Sequence, residues 1–263
     1  MKRPLAVLAA LLAFGCTKKT ETVTPPRAAA DSVRSLVRTL HYETADCRTQ
    51  GEPCLSLDVT YPVLLSVPGG DTLALNRDLR RRLNAGATGD TLFADPDSLL
   101  RARIASFEKP LPNEAPWFDS TYARVERFVP GALTVSIFDF AYAGGAHPNT
   151  TTVYVVLDPA TAREVPLDSV LVPGAHPRLL TAVERAFRRA RELPADSSFA
   201  AAGFWFKNGF ELSPNWGFVE DGIVFHYNPY DVAPYAWGPT RPVVPWAELD
   251  GVVRPRFLPK PAA

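Results

Sequence analysis

The stretch ELSPNWGFVEDGIVFHYNPYDVAPYAWGPTRPVVPWAEL, from Glu211 to Leu249, carries a density of aromatic residues and prolines matched nowhere else in the chain. Asn215 to Val219 and Ile223 to Tyr227 flank Glu220-Asp221-Gly222, a loop with glycine where a positive φ is needed, and this pattern predicts a β-hairpin. Alternation along the second arm puts Val224 and His226 on one face and Ile223, Phe225 and Tyr227 on the other. Asn228-Pro229-Tyr230 then breaks the strand into a loop. Pro242 to Pro245 starts an edge segment that reaches Leu249, because proline lacks the N–H a central strand requires.

The segments before this stretch read as short strands and a few helices. Leu55, Leu57, Val59 and Tyr61 alternate in a strand leading into a second one around Pro62 to Val67, closed by a Pro68-Gly69-Gly70 turn. Leu73, Leu75, Leu79 and Leu83 follow at helical spacing, with Arg80, Arg81 and Arg82 on a solvated flank. Asp95 is a candidate N-cap for a helix to Lys109 whose stripe is Leu99, Leu100, Ile104 and Phe107. Thr121 to Phe128 and Leu133 to Tyr142 pair as a hairpin around Pro130-Gly131, and Thr151 to Leu157 forms the next strand. Pro177 to Leu193 is a helix with Leu179, Leu180, Val183, Ala186, Phe187 and Ala190 inward and Arg185, Arg188, Arg189 and Arg191 outward. Val33 to His41 fits either a helical stripe or the start of a strand.

The N-terminus addresses the compartment. Met1 to Gly15 has two cations, Lys2 and Arg3, and an apolar run of about ten residues, short of the roughly 20 that span a bilayer. Ala13-Phe14-Gly15-Cys16 resembles the lipobox of bacterial lipoproteins, in which the cysteine is acylated, with alanine where leucine is commoner. Several acyl chains give stable anchoring. An ordinary secretory signal with an incidental cysteine is the other reading. Thr17 to about Ser32 is polar and aperiodic and reads as a disordered tether. Cys47 and Cys54 flank RTQGEP and are expected to pair in an oxidising compartment, against free thiols or a soft-metal pair. Lys plus Arg equals Asp plus Glu at 28 each, so no global field draws nucleic acid, and none is expected as a partner.

Two elements together resemble one bacterial ectodomain family. Tyr142, Gly144, Gly145, Ala146, His147 and Asn149 form a Y-x-GGAH-x-N element. Gly222, Phe225, Tyr227 to Asp231, Ala233 to Ala236 and Gly238, closed by Val244-Pro245-Trp246 and Leu249, form the other. Both are similar to the paired domains of unknown function in RsiV-type anti-sigma factors and PdaC-type peptidoglycan deacetylases. The turn from Asp158 to Glu164 lies between them, with Ala162 where the family usually has glycine. The resemblance implies an α+β fold, a twisted antiparallel β-sheet with flanking helices in two adjoining subdomains, which agrees with the pattern above. It also implies a cell-envelope setting. With no anti-sigma segment or deacetylase domain read here, neither activity carries over directly. The expected organisation is a signal over 1–15, a lipidated cysteine and flexible tether over 16–40, an N-terminal α+β subdomain over 41–152, a C-terminal RsiV-type subdomain over 153–251 and a tail over 252–263.

Chemistry is sparse in this pattern. His147 in a Gly-rich loop is a candidate general base, with Asp139 or Asn149 to orient it, or a residue that bonds the backbone to fix a tight turn. His226 reads as a surface or paired residue, and with His41 and His176 isolated no metal pattern or cofactor is expected. Asp221, Asp231 and Glu248 are too scattered for a glycosidase pair. Tyr230, Tyr235, Trp237 and Trp246 suit contact with a sugar or a protein, or packing. The expected function is a lipid-anchored, non-catalytic envelope module binding a cell-wall glycan or an envelope protein such as lysozyme, through His147, Asn149, Tyr230, Asp231, Tyr235 and Trp237. The alternative is a peptidoglycan-modifying enzyme with His147 as base.

Overall fold

The computed structural model describes residues 18–28, 33–43, 54–83, 96–107 and 116–259. The export signal, Cys16, Cys47 and the Asp95 cap lie outside them; Cys54 is buried. The chain is α+β. In order it forms β1 (Lys18–Ala28), β2 (Arg34–Glu43), β3 (Leu55–Ser66), α1 (Thr72–Leu83), α2 (Pro96–Phe107), β4 (Trp117–Val129), β5 (Ala132–Tyr142) and β6 (Asn149–Leu157). There follow α3 (Leu167–Val170), α4 (His176–Ala190), β7 (Trp216–Val219), β8 (Gly222–Phe225) and β9 (Val243–Pro245). Among the described residues no helix is long and apolar enough to cross a membrane.

The first six strands make one sheet in sequence order, and β7-β8-β9 make a second. The large sheet is mixed where a fully antiparallel one was expected, because β3 and β4 run parallel. The cause is the connection: α1 and α2 lie between these strands, and a crossover of that length returns the chain in the same direction. The expected tether is also corrected over its described part. Lys18–Ala28 pairs antiparallel with β2, Thr22 opposite Thr39, so this segment is the sheet's edge strand. The β-branched run Thr20, Thr22, Val23 and Thr24 suits a pleated edge. The same ladder resolves Val33 to His41 as strand.

On β3 the inward residues are those expected, Leu55, Leu57, Val59 and Tyr61, all buried. The strand nevertheless runs on through Pro62 as one element instead of breaking there. Its pairing with β4 ends at Thr60, so beyond that point one side of β3 is an open edge, where a missing N–H is tolerated. The side chain of Asn76 then serves as a partner for that edge. It accepts the Leu64 N–H through Oδ1 at 2.8 Å and donates Nδ2–H to the Leu64 carbonyl at 2.8 Å. On α1 itself Leu75, Leu79 and Leu83 are buried, while Leu73 stands 66% exposed outside the stripe. Arg82 is no solvated flank residue: its Nε donates to Asp78 at 2.6 Å and its Nη1 to Glu164 at 2.8 Å, tying α1 to the turn after β6.

β5 sits between two cores because both of its faces are covered. Leu133, Val135 and Ile137 point toward the α1 and α2 side, with Leu57, Leu75, Leu79, Leu100 and Val155. Ala132 and Val156 face the other side, with α4 and the small sheet. Phe218 of β7 donates its N–H to Thr134 Oγ1 at 3.0 Å, which places the second sheet over this face. The boundary expected between 152 and 153 therefore falls inside β6, a strand of the large sheet. The expected tail likewise begins inside the core, since Val252, Val253 and Phe257 are buried with α4.

Within α4, Leu179, Val183, Ala186 and Phe187 are buried as expected, but Ala190 is exposed and Arg188 and Arg191 are drawn onto the protein. Phe187 is the hub of a ring cluster, 5.0 Å from Phe204, 5.3 Å from Tyr227 and 5.4 Å from Phe206, each edge-on as ring quadrupoles prefer. The β7–β8 hairpin has the two faces read from its alternation: Ile223, Phe225 and Tyr227 join α4, and Val224 packs with Tyr154.

The reason for Gly222 differs from the one expected. Its φ is not positive; instead β9 crosses so closely that a Cβ there would overlap the Val244 carbonyl oxygen. Backbone against backbone leaves no flexible group to give way. Gly222→Ala is expected to lower the unfolding free energy by about 3 kcal/mol, measured by urea titration.

Candidate functional site

The sequence candidates converge only in part. The loop after β5 and the loop after β8 meet at His147, Tyr230 and Tyr235. The His147 and Tyr235 rings stack at 3.7 Å between centroids and 16° between planes. Both side chains donate to one acceptor, the Pro148 carbonyl, His147 Nδ1–H at 2.9 Å and Tyr235 Oη–H at 2.6 Å. A carbonyl can only accept, so Nδ1 carries a proton, and Nε2 is the ring nitrogen turned away from that bond. The Tyr230 hydroxyl lies 3.5 Å from that Nε2, and the Tyr230 and Tyr235 rings are 5.7 Å apart. The cluster is exposed at His147 and Tyr230, so it presents an aromatic surface with one basic nitrogen. Among the described residues no His, Cys, Asp or Glu group of metal-binding size occurs.

Tyr230 reaches this position at a backbone cost. Its φ is +70°, in the left-handed region where a Cβ is unfavourable. The surrounding residues hold it there. Asp231 donates its N–H to the Asn228 carbonyl at 3.1 Å and accepts the Asn228 N–H on Oδ2 at 2.7 Å. Asn-Pro-Tyr-Asp thus closes in the manner of a type II turn, with Pro229 second and tyrosine at the third position that favours glycine. Strain of this kind is held where the structure over-determines it. Tyr230→Gly is expected to keep or raise the unfolding free energy, by up to about 1 kcal/mol, in thermal or urea unfolding.

Asn228 also joins the two sheets. Its Oδ1 accepts the Thr152 N–H at 2.7 Å and its Nδ2 donates to the Thr152 carbonyl at 3.1 Å. Asn215 does the same one pleat along, accepting the Tyr154 N–H at 2.7 Å and donating to the Thr152 carbonyl at 2.6 Å. Two side-chain amides thereby occupy the outer edge of β6. Because Asn228 Oδ1 is an acceptor, His226 must donate to it from Nε2, at 3.2 Å. His226 is 4% exposed, not a surface residue, and its buried Nδ1 has no partner among the described residues.

Burial, with a smaller contribution from the positive charge of Arg241, holds His226 below its ordinary value of 6.5. The unfolded chain takes up this proton first, so the stability His226 contributes is present above pH 6.5 and is lost as pH falls through the window below it. The unfolding midpoint measured against pH should drop below 6.5 in the wild type and be flatter in His226→Gln.

The remaining candidates lie elsewhere. Asn149 is exposed opposite Ala141 at the end of β6. Trp237 faces away from the cluster, edge-on to Phe204 at 5.1 Å, and Gly203 leaves the space its ring occupies. Arg191, read as outward, is the clamp of the aromatic loop. Its guanidinium donates to Thr240 Oγ1 at 2.8 Å and to the carbonyls of Trp237, Gly238 and Pro239 at 2.9, 3.0 and 3.2 Å. Nothing in the local pattern marks an arginine just past the end of a helix as a clamp for residues almost fifty positions away. At Ala162 φ is +54°, which explains why a glycine suits this position in the related pattern.

Residues 168–247 match the family model described as protein of unknown function DUF3298, so the chain carries a DUF3298-type domain. It is similar to immunogenic protein MPB64 of Mycobacterium bovis and immunogenic protein MPT64 of Mycobacterium tuberculosis. Each is 25% identical over 160 residues, covering 60% of this chain and 67% of the relative. A crystal structure of a DUF3298 family protein from Pseudomonas aeruginosa PAO1 shares the fold, with a TM-score of 0.61 and 21% identity over 85% of this chain and 96% of that one. One from Bacteroides fragilis NCTC 9343 does so at a TM-score of 0.59 and 16% identity, over 92% and 93%.

Proposed function

We propose that this chain is a cell-envelope binding module of the RsiV/PdaC type, exported and held at the membrane by acylated Cys16, with Cys47 and Cys54 paired. It contacts a cell-wall glycan or an envelope protein without catalysing a reaction. The observation that carries the reading is the exposed ring surface of His147, Tyr230 and Tyr235, assembled from two distant loops and held at a strained φ of +70° at Tyr230. Stacked amphipathic rings of fixed orientation suit recognition of sugars and of protein surfaces alike. The charge balance of 28 cationic and 28 anionic residues supports contact by shape and rings over long-range attraction.

A second reading, peptidoglycan modification with His147 as base, is favoured by the ring's orientation: Nδ1–H is held by the Pro148 carbonyl, which turns Nε2 toward the Tyr230 hydroxyl. Release or deacetylation of muropeptides by the wild type, abolished in His147→Ala, would establish that reading instead.

The binding reading is tested by co-sedimentation with peptidoglycan sacculi and by titration with lysozyme. Saturable binding to one of them, weakened about tenfold by Tyr235→Ala, is expected. Absence of saturable binding to both would overturn it.

A further inference from the structure

A groove of 740 Å³ lies beside the ring surface, within the roughly 300–1,000 Å³ of small-molecule sites. The two adjoin through one loop: Tyr230 points to His147, while Asn228, Asp231 and Val232 line the groove. It is lined by β6 from Val153 to Val156, by Asn215 and Asn228, and by Trp205. Phe204 and Phe206 on either side of Trp205 turn into the Phe187 cluster, but the Trp205 indole stands 51% exposed. Its own N–H backbone bond to the Val232 carbonyl, at 2.9 Å, fixes the loop across the groove.

The charges at the groove decide what suits it. Arg82 is already committed to Asp78 and Glu164. Lys207 and Glu211 have no ion-pair partner among the described residues, and Asp231 uses one carboxylate oxygen within its own turn. One cation against two carboxylates leaves a site rich in acceptors and unsuited to polyanions. An added peptide strand is also disfavoured, since such binding needs free main-chain groups on a sheet edge, and Asn215 and Asn228 already bond Thr152 and the Tyr154 N–H. An exposed indole that lines the same groove as two carboxylates and one ammonium fits a ring with an apolar face and a rim of hydroxyl donors.

We infer that the groove lined by Trp205 binds a short uncharged or cationic oligosaccharide, with one sugar ring stacked on the indole and its hydroxyls donating to Glu211 and Asp231. This rests on the envelope-binding reading and gives it a site separate from the ring surface. Chitotriose titrated into the full chain, followed by calorimetry and tryptophan fluorescence, is the test. Saturable binding is expected in the wild type. It should weaken about tenfold in Trp205→Ala, whose side chain is exposed, and several-fold in Glu211→Gln. No saturable binding of chitotriose, equal binding by Trp205→Ala, or preference for trialanine would overturn the inference. Each of those results leaves the envelope reading to be decided by sacculi and lysozyme.

Discussion

The contact between Asn215, Asn228 and the outer edge of β6 is the constraint on which the arrangement depends. An edge strand presents main-chain donors and acceptors that must find partners once they are covered. Here the partner is not another strand but two carboxamides, each accepting one bond and donating one to the edge, as a peptide group would. The small sheet is therefore docked against the large one by directed bonds as well as by burial. The same device appears at Leu64, where Asn76 covers β3 after β4 has ended.

This docking sets the geometry of everything functional around it. Asn228 begins the turn that forces Tyr230 into the left-handed region, so fixing the amide on Thr152 also fixes the tyrosine beside His147. Arg191 holds the far end of the same loop through its carbonyls. Between those two anchors Tyr235 is pressed flat on His147. The interior side of the loop is secured by the Phe187 cluster, whose edge-on rings join α4, the 204–210 segment and Tyr227. One consequence is a buried histidine at 226 whose proton affinity is governed by its neighbours in the joint.

Elements governed by local pattern were legible. Both hairpins, the α4 stripe around Phe187 and the two faces of β8 follow from alternation and helical spacing, because burial of one face is a short-range requirement on side-chain order. His147 and Tyr230, Tyr235 were legible as candidates by residue type. The parallel pairing of β3 with β4, the edge strand at Lys18–Ala28 and the burial of Val252, Val253 and Phe257 were not, since each depends on which element lies alongside. Pro62 and Gly222 misled for the same reason: a missing N–H or a missing Cβ acquires its meaning from the neighbouring backbone.

By itself, then, the sequence determined an α+β chain, the positions of its main turns and the residues that would face inward along most strands, because these depend on periods of two and of 3.6 residues. Only the tertiary structure decided that His147 stacks on Tyr235 from 88 positions away, that Asn215 and Asn228 close a sheet edge, and that Trp205 lines a groove with them. Those outcomes rest on directed hydrogen bonds and ring contacts between segments distant in sequence. No local periodicity encodes which distant backbone a side-chain amide or a ring will meet.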